Sequence, residues 1–434
     1  MNHPSTSDFE VEDVACTICG CVCDDLKITV SQGRISEAQG VCELAQPFFE
    51  AQQAHVDWPT FKQGRSCTRD EGIKQAVQQL RGSRAPLIYG LSRSSSAGQR
   101  AATRLADFLG ATIDTTASRC HAPSILALQQ VGESTCSLGE ARHRCDLVIF
   151  WGSNPAKSHP RHGERYSMTP PGQFLPKGRA DRRIMVIDPR DTETARIADH
   201  WIPLQSGTDF EVIWALRSLI RDETPQLWPE GISPDSLISL AQAMKGCRSG
   251  VVYFGLGLTR QGTPHTNVEA LLRLVTDLNA HTRFYARRMR IPGDVAGADS
   301  VLCWQTGFPF SVNLSRGYPR YSPGEYSANE LLERDEVDCC LLVGSEGYHQ
   351  LSPLAQDRLR DLSTVVLDYP TTTCPFEPTV QFTTSIYGIH QQGTAYRMDE
   401  TPIPLRSVFP CGDRDSDATI LGDILAELKK GNDS

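Results

Sequence analysis

No window of these 434 residues is apolar for long enough to form a transmembrane helix. Positive charge is not in surplus either. The 43 Lys and Arg stand against 52 Asp and Glu, for a formal net charge of -9, which argues against a surface built for nucleic-acid phosphates. The chain shows no basic region followed by an apolar stretch at its start, so no export signal is expected. It lacks short repeats and low-complexity tracts. It also lacks G-x-G-x-x-G and G-x-x-x-x-G-K, so neither a Rossmann fingerprint nor a P-loop is supported. The low hydrophobicity and high charge of disorder are missing too, at 39% hydrophobic and 22% charged residues.

Cysteine, by contrast, is plentiful. Fifteen are scattered along the chain, an odd count in a sequence without an export signal, which reads as reduced thiols in a reducing cytoplasm. A chain of this length exceeds one core and is expected to split into lobes.

Short apolar runs at Pro86 to Leu91, Leu147 to Gly152, Ile184 to Asp188, Val251 to Leu256, Cys340 to Gly344 and Val365 to Asp368 read as buried parallel strands. Helical periodicity separates them, as in Val268, Leu271, Leu272, Val275 and Leu278. The alternation predicts an α/β architecture with parallel sheets. Thr208-x-x-Glu211, Thr266-x-x-Glu269 and Ser327-x-x-Glu330 each fit a capping box. The stretches Tyr166 to Asp181 and Arg287 to Asp299 read as loops that cover a ligand or meet a partner. The basic runs Arg179 to Arg183 and Arg283 to Arg290 could serve a phosphorylated cofactor, the first equally well a solvated loop.

Chemistry concentrates in two places. Cys16, Cys19, Cys23 and Cys42 form C-x2-C-x3-C-x18-C, four soft thiolate donors whose spacing fits a [4Fe-4S] cluster better than the paired knuckles of a zinc ribbon. Zinc and an empty site stay open as alternatives. Cys21 offers a fifth sulfur and reads as a spectator that spacing alone does not exclude as a ligand. Farther on, Cys120 precedes a helix marked by Pro123, where a helix dipole favours thiolate, and His121 adds a proton carrier beside it. A small buried hydrophobe with an incidental histidine is the plain alternative. Ser153, Asn154, Asp188 and Arg190 end strands where parallel sheets bind ligands, and with Thr208 and Asp209 they make up the candidate cofactor-binding set. Taken singly, most would be ordinary turn residues. Gly255 and Gly257 read as a tight turn.

The chain resembles the B-type subunit of formylmethanofuran dehydrogenase, within the molybdopterin oxidoreductase superfamily, and its counterpart in the bacterial formyltransferase/hydrolase complex. The likeness runs over nearly the whole length. It is carried by Cys16 to Asp25, by Cys120 to Gln129, by Trp151-Gly152-Ser153-Asn154-Pro155 with His159-Pro160-Arg161-His162, by Asp188-Pro189-Arg190, by Ser315 to Tyr321 and by Gly393 to Asp399. It implies that Cys16, Cys19, Cys23 and Cys42 hold a [4Fe-4S] cluster and that Cys120 binds tungsten or molybdenum on a molybdopterin guanine dinucleotide. His121 and Arg290 then stand beside the metal. The implied fold is molybdopterin-oxidoreductase-like, with a Cys-rich subdomain at 1–65, one lobe of 66–145 and 300–434, a second at 146–299, and no C-terminal barrel domain.

The implied activity interconverts carbon dioxide and formate or formylmethanofuran in one-carbon metabolism. It needs a hetero-oligomer that includes a barrel-domain subunit and an amidohydrolase subunit. Two departures from the family pattern matter. Ile291-Pro292-Gly293-Asp294 follows Met289-Arg290 where the family carries Gly-His-Tyr-Asn, and Gly344-Ser345-Glu346-Gly347-Tyr348-His349 replaces Ser-Asp-Pro-Gly-Ala-His. They make a non-redox scaffold role in a complex that hydrolyses a formyl-methanofuran analogue the second reading.

Overall fold

The computed structural model describes residues 8–54, 56–260, 262–412 and 415–431. Two compact units emerge, Met1–Arg119 with Ile291–Ser434, and Cys120–Arg290. The second unit therefore starts at Cys120, ahead of the boundary expected at 146. Helix Ala122–Val131 packs on helix Pro264–Leu278, which ties residues before 146 to this unit.

Its sheet is parallel throughout, in the order His200–Ile202, Arg183–Ile187, Leu147–Trp151, Ser249–Phe254, Arg283–Arg288. Strands such as LVIFW and SGVVYF are buried at every position, because helices cover both faces and leave no solvent side to reward alternation. From the central strand Leu147–Trp151 the chain first builds one edge and then returns to build the other. The strand order thus reverses between Trp151 and Phe254, which opens a crevice at the carboxyl ends.

The first unit carries a nine-stranded mixed sheet. Its parallel middle contains Thr112–Thr115, Pro86–Gly90, Cys339–Val343, Ser363–Asp368 and Val380–Thr383. Antiparallel pairs close both sides, Val312–Asn313 with Arg320–Tyr321 and Thr60–Lys62 with Arg65–Cys67. A separate antiparallel sheet, Phe9–Val14, Leu26–Ser31 and Arg34–Gln39, precedes it. Helix Asp417–Lys430 packs across helices Arg69–Gly82 and Ser96–Leu109. No helix among the described residues is long and apolar enough to cross a membrane.

Several local expectations are corrected. Thr208 precedes helix Asp209–Ile220 but its hydroxyl donates to the Gln205 carbonyl at 2.8 Å instead of capping. Thr266 lies inside a helix that already starts at Pro264. Ser327 caps nothing with its side chain, which instead accepts from Gly324 N–H at 2.9 Å. The capping box forms at Thr68 and Glu71. Arg287 to Asp299 is not a loop: Arg287 and Arg288 end a strand, and Asp294 starts helix Val295–Thr306 by accepting from Gly297 N–H at 3.1 Å. The stretch 166–181 is irregular yet packed, because Gly172 sits flush on the Arg142 carbonyl and Arg182 donates to the Pro170 carbonyl at 2.6 Å.

Strand Thr112–Thr115, which leads toward Cys120, is anchored by Asp114. This fully buried carboxyl accepts from Ala328 N–H at 2.7 Å, Ser311 N–H at 2.9 Å and Thr115 N–H at 3.0 Å. Burial outweighs these bonds and raises its pKa to about 6. A carboxyl raised in the fold contributes stability that is full below the ordinary carboxylate range near pH 4 and is lost as pH rises through about 6, here about 3 kcal/mol. Denaturant unfolding at pH 4 and pH 7 should show this fall in the native chain. It should be absent from Asp114→Asn, which should also be less stable at pH 4 because its amide faces the Ala328 N–H.

Candidate functional site

In the first unit, residues 15–25 form the connection between strands Phe9–Val14 and Leu26–Ser31 and carry four of the cysteines. Cys16 N–H donates to the Cys23 carbonyl at 2.8 Å and Val22 N–H to the Cys19 carbonyl at 3.2 Å, winding three array cysteines into one loop. Val22 adopts φ +37°, a strained conformation for a β-branched residue. Outside contacts hold it there. Val22 and Ala15 pack with Tyr387, Ala395, Ile403 and Leu405, while Met398 N–H donates to the Gly20 carbonyl at 2.8 Å. Gly293 presses on the loop from another side: a Cβ there would stand 1.9 Å from the Thr17 carbonyl oxygen.

Cys16, Cys19, Cys21 and Cys23 are buried and Cys42 is half-buried; none of them forms a disulfide. Burial pushes the Cys16 thiol up, and the neighbouring charges of Cys19, Cys23 and Cys42 push it further. Cys19 moves the other way, because the Cys21 side chain hydrogen-bonds to it. Four thiols thus share one electrostatic neighbourhood. Among the described residues, though, no three His, Cys, Asp or Glu side chains converge as a chelate for a metal ion. Thiolate sulfurs are soft donors of the kind that iron-sulfur clusters and zinc both take.

In the second unit, Cys120 is half-buried and His121 is the N-cap residue of helix Ala122–Val131, with Pro123 in the first turn. His121 is buried, and its Nε2 has no hydrogen-bond partner. Burial holds its pKa well below the ordinary value, helped by the charges of Arg290 and Arg288, so the ring is neutral. Arg290 is 2% exposed, and its carbonyl accepts from His159 Nε2 at 2.9 Å. Buried His159, lowered to about 4 and hence neutral, accepts in turn at Nδ1 from Ser158 Oγ at 2.8 Å. Arg288 pairs with Glu133 at 3.1 Å, both side chains nearly excluded from water. The expected triad of Cys120, His121 and Arg290 is thus accompanied by three residues that the sequence reading assigned no role of their own. His159 stood only within a motif and Arg288 only within a basic run, and Glu133 follows Gly132 with no signal at all.

The candidate cofactor-binding residues divide. Asp188 and Asp209 come together at the crevice: Asp209 is raised by burial and by Asp188, while Trp151 Nε1 donates to it at 2.7 Å. Arg190 N–H donates to Asp188 at 3.0 Å, leaving the guanidinium exposed. These two carboxyls could accept from the N–H or O–H edges of a base or sugar. Ser153, Asn154 and Thr208 have other partners. Ser153 donates to the Tyr253 carbonyl at 3.1 Å, and Asn154 bridges Glu193 at 2.6 Å and Thr194 at 2.7 Å. The crevice floor is tight, since a Cβ on Gly257 would sit 2.6 Å from Gly152 Cα. Backbone this bare lets a flat or phosphorylated ligand approach. The basic run 179–183 is committed elsewhere, with Arg179 bound to Asp199 at 2.6 Å.

The family model for molybdopterin oxidoreductases matches residues 73–289. The B-type subunit of tungsten-containing formylmethanofuran dehydrogenase 2 from Methanocaldococcus jannaschii is 36% identical over 92% of this chain and 94% of its own. The corresponding B-type subunit of the formyltransferase/hydrolase complex of Methylorubrum extorquens is 24% identical over 65% of this chain and 73% of its own. The crystal structure of that complex with methylofuran contains a chain that superposes with a TM-score of 0.70 at 20% identity, covering 86% of this chain and all of that one.

Gly293→Ala should disturb the cysteine loop, because the added methyl has no space beside Thr17. We expect a loss of about 3 kcal/mol or more in unfolding free energy. Cys16, Cys19, Cys21 and Cys23 should also become reactive to iodoacetamide under native conditions, whereas the native chain should protect them.

Proposed function

Because the chain belongs to the family of formylmethanofuran dehydrogenase B-type subunits, within the molybdopterin oxidoreductases, we propose that it is the redox subunit that interconverts carbon dioxide and formate or formylmethanofuran. Cys120 would ligate tungsten or molybdenum held on a molybdopterin guanine dinucleotide. Cys16, Cys19, Cys23 and Cys42 would hold a [4Fe-4S] cluster that passes electrons. Bound, the metal centre supplies the two-electron step that side chains cannot.

One observation carries the reading: beside Cys120, a buried neutral histidine presents an unpartnered Nε2 among two buried arginines. A neutral Nε2 can accept the proton that formate loses when it is oxidised to carbon dioxide and two electrons leave. In reverse it returns that proton. The guanidinium charges of Arg288 and Arg290 favour the carboxylate of formate, and burial strengthens that attraction. Asp188 and Asp209 suit the donor edge of a guanine or the ribose hydroxyls.

The protein would work in a hetero-oligomer that includes a barrel-domain subunit and an amidohydrolase subunit. Fifteen cysteines without a disulfide suit the reducing cytoplasm. A second reading, a non-redox scaffold of a formyltransferase/hydrolase assembly, draws on the segment that follows Arg290. There Asp294 is fully buried and accepts from Tyr396 N–H at 2.6 Å and Gln99 Nε2 at 3.2 Å, which makes that segment structural.

Anaerobic elemental analysis of the chain with its native partners separates the two. About four irons and one tungsten or molybdenum per chain are expected. Cys120→Ala should lose the heavy metal and the dehydrogenase activity while keeping iron. A native complex without heavy metal or iron, or one whose activity survives Cys120→Ala, would establish the scaffold.

A further inference from the structure

Arg290 stands just past the sheet of its unit. Strand Arg283–Arg288 ends before it, and Met289 N–H still donates to the Phe254 carbonyl at 2.9 Å. The Arg290 carbonyl meets a side chain instead, His159 Nε2 at 2.9 Å. A carbonyl only accepts, so Nε2 carries hydrogen whatever the charge of the ring. Both residues are out of water, at 1% exposed for His159 and 2% for Arg290, and a peptide oxygen buried without a donor is costly. His159 is itself held. It closes the short helix Pro155–Ser158 with its N–H on the Pro155 carbonyl at 2.8 Å. Its Nδ1 lies 2.8 Å from Ser158 Oγ, a hydroxyl that also reaches the Asn154 carbonyl at 3.0 Å. That helix follows strand Leu147–Trp151, and strand Ser249–Phe254 lies between it and Arg283–Arg288. The imidazole therefore joins the ends of two strands that are not neighbours, across roughly 10 Å of sheet.

Resting on the redox reading above, in which the Arg290 guanidinium attracts the carboxylate of formate, we propose that His159 is a positioning residue for that reaction: its Nε2–H fixes the Arg290 backbone, and with it the place of the guanidinium. His159 does not touch substrate in this role. Past the last rung of the ladder the strand no longer sets the peptide planes, and a carbonyl held by a fixed donor sets the plane in its place. Ser158 on the far side of the ring keeps the imidazole from turning, so the donor direction is constant. A guanidinium displaced by about 1 Å loses much of its hold on a carboxylate, because charge-assisted pairs depend on short, aligned contacts.

The test uses the holo complex with its native partners, purified anaerobically and assayed for formate-dependent reduction of a viologen dye and for heavy-metal content. Three variants differ in where they place an N–H. His159→Gln sets its amide nitrogen where Nε2 stood, His159→Asn sets it nearer Nδ1, and His159→Leu has none. The expected result is full heavy metal in all three. The KM for formate should rise roughly tenfold or more in His159→Asn and His159→Leu with a smaller fall in kcat, and return toward the native value in His159→Gln. Should His159→Leu fail to assemble, the contrast between His159→Gln and His159→Asn decides. A native KM in His159→Asn overturns the proposal, as does a His159→Gln variant no better than His159→Asn. Loss of heavy metal also overturns it, since His159 would then support the cofactor rather than Arg290. A native complex that reduces no dye with formate refutes the redox reading itself, before any variant is made.

Discussion

Burying positive charge is the constraint on which the second unit's candidate site depends. Arg287, Arg288 and Arg290 are 1%, 8% and 2% exposed, and an uncompensated buried ion costs several kcal/mol. Glu133 meets Arg288 as an ion pair, and Thr135 accepts from Arg287 at 2.7 Å. Helix Ala122–Val131 organises this relief, since His121 stands at its start and Glu133 just beyond its end. Alternation along the chain at Arg288 and Arg290 brings both charges to bear on His121, which stays neutral for that reason and because it is buried. The neutral ring and the positive surroundings are two aspects of one electrostatic arrangement.

Much of the α/β framework was legible because buried parallel strands are uniformly apolar, a pattern that solvent exposure does not dilute. The six runs from Pro86 to Asp368 all contain strands of the two large sheets. The antiparallel sheet before residue 40 was not legible. Phe9–Val14 and Arg34–Gln39 are mostly exposed, so their charged residues hide the period of two. Capping boxes misled for another reason: a hydroxyl and a glutamate at the right spacing cap only if the backbone presents N–H groups to them. At Thr208 the hydroxyl found the Gln205 carbonyl first.

Candidate chemistry shows in the sequence where it is local: Cys16, Cys19 and Cys23 share one loop, and Cys120 and His121 are adjacent, while Cys42 lies beyond two strands. What sequence did not expose is long-range pairing. Glu133 reaches Arg288, and Asp209 reaches Trp151, across intervals that carry no periodic signal. Asn154 shows the converse, a residue type suited to ligand binding whose amide is instead used to join two turns.

The supports of the cysteine loop have a consequence for the order of events during synthesis. Cys16 to Cys23 leave the ribosome early, whereas Gly293, Tyr387 and Met398, which hold their loop, are translated long after the contiguous unit Cys120–Arg290 is complete. At roughly 5–20 residues per second, the thiols wait from about twenty seconds to over a minute for their clamp. During that interval they are an unprotected, flexible set of nucleophiles. The loop therefore takes its final form late, and until Met398 emerges its thiols are held by none of these contacts.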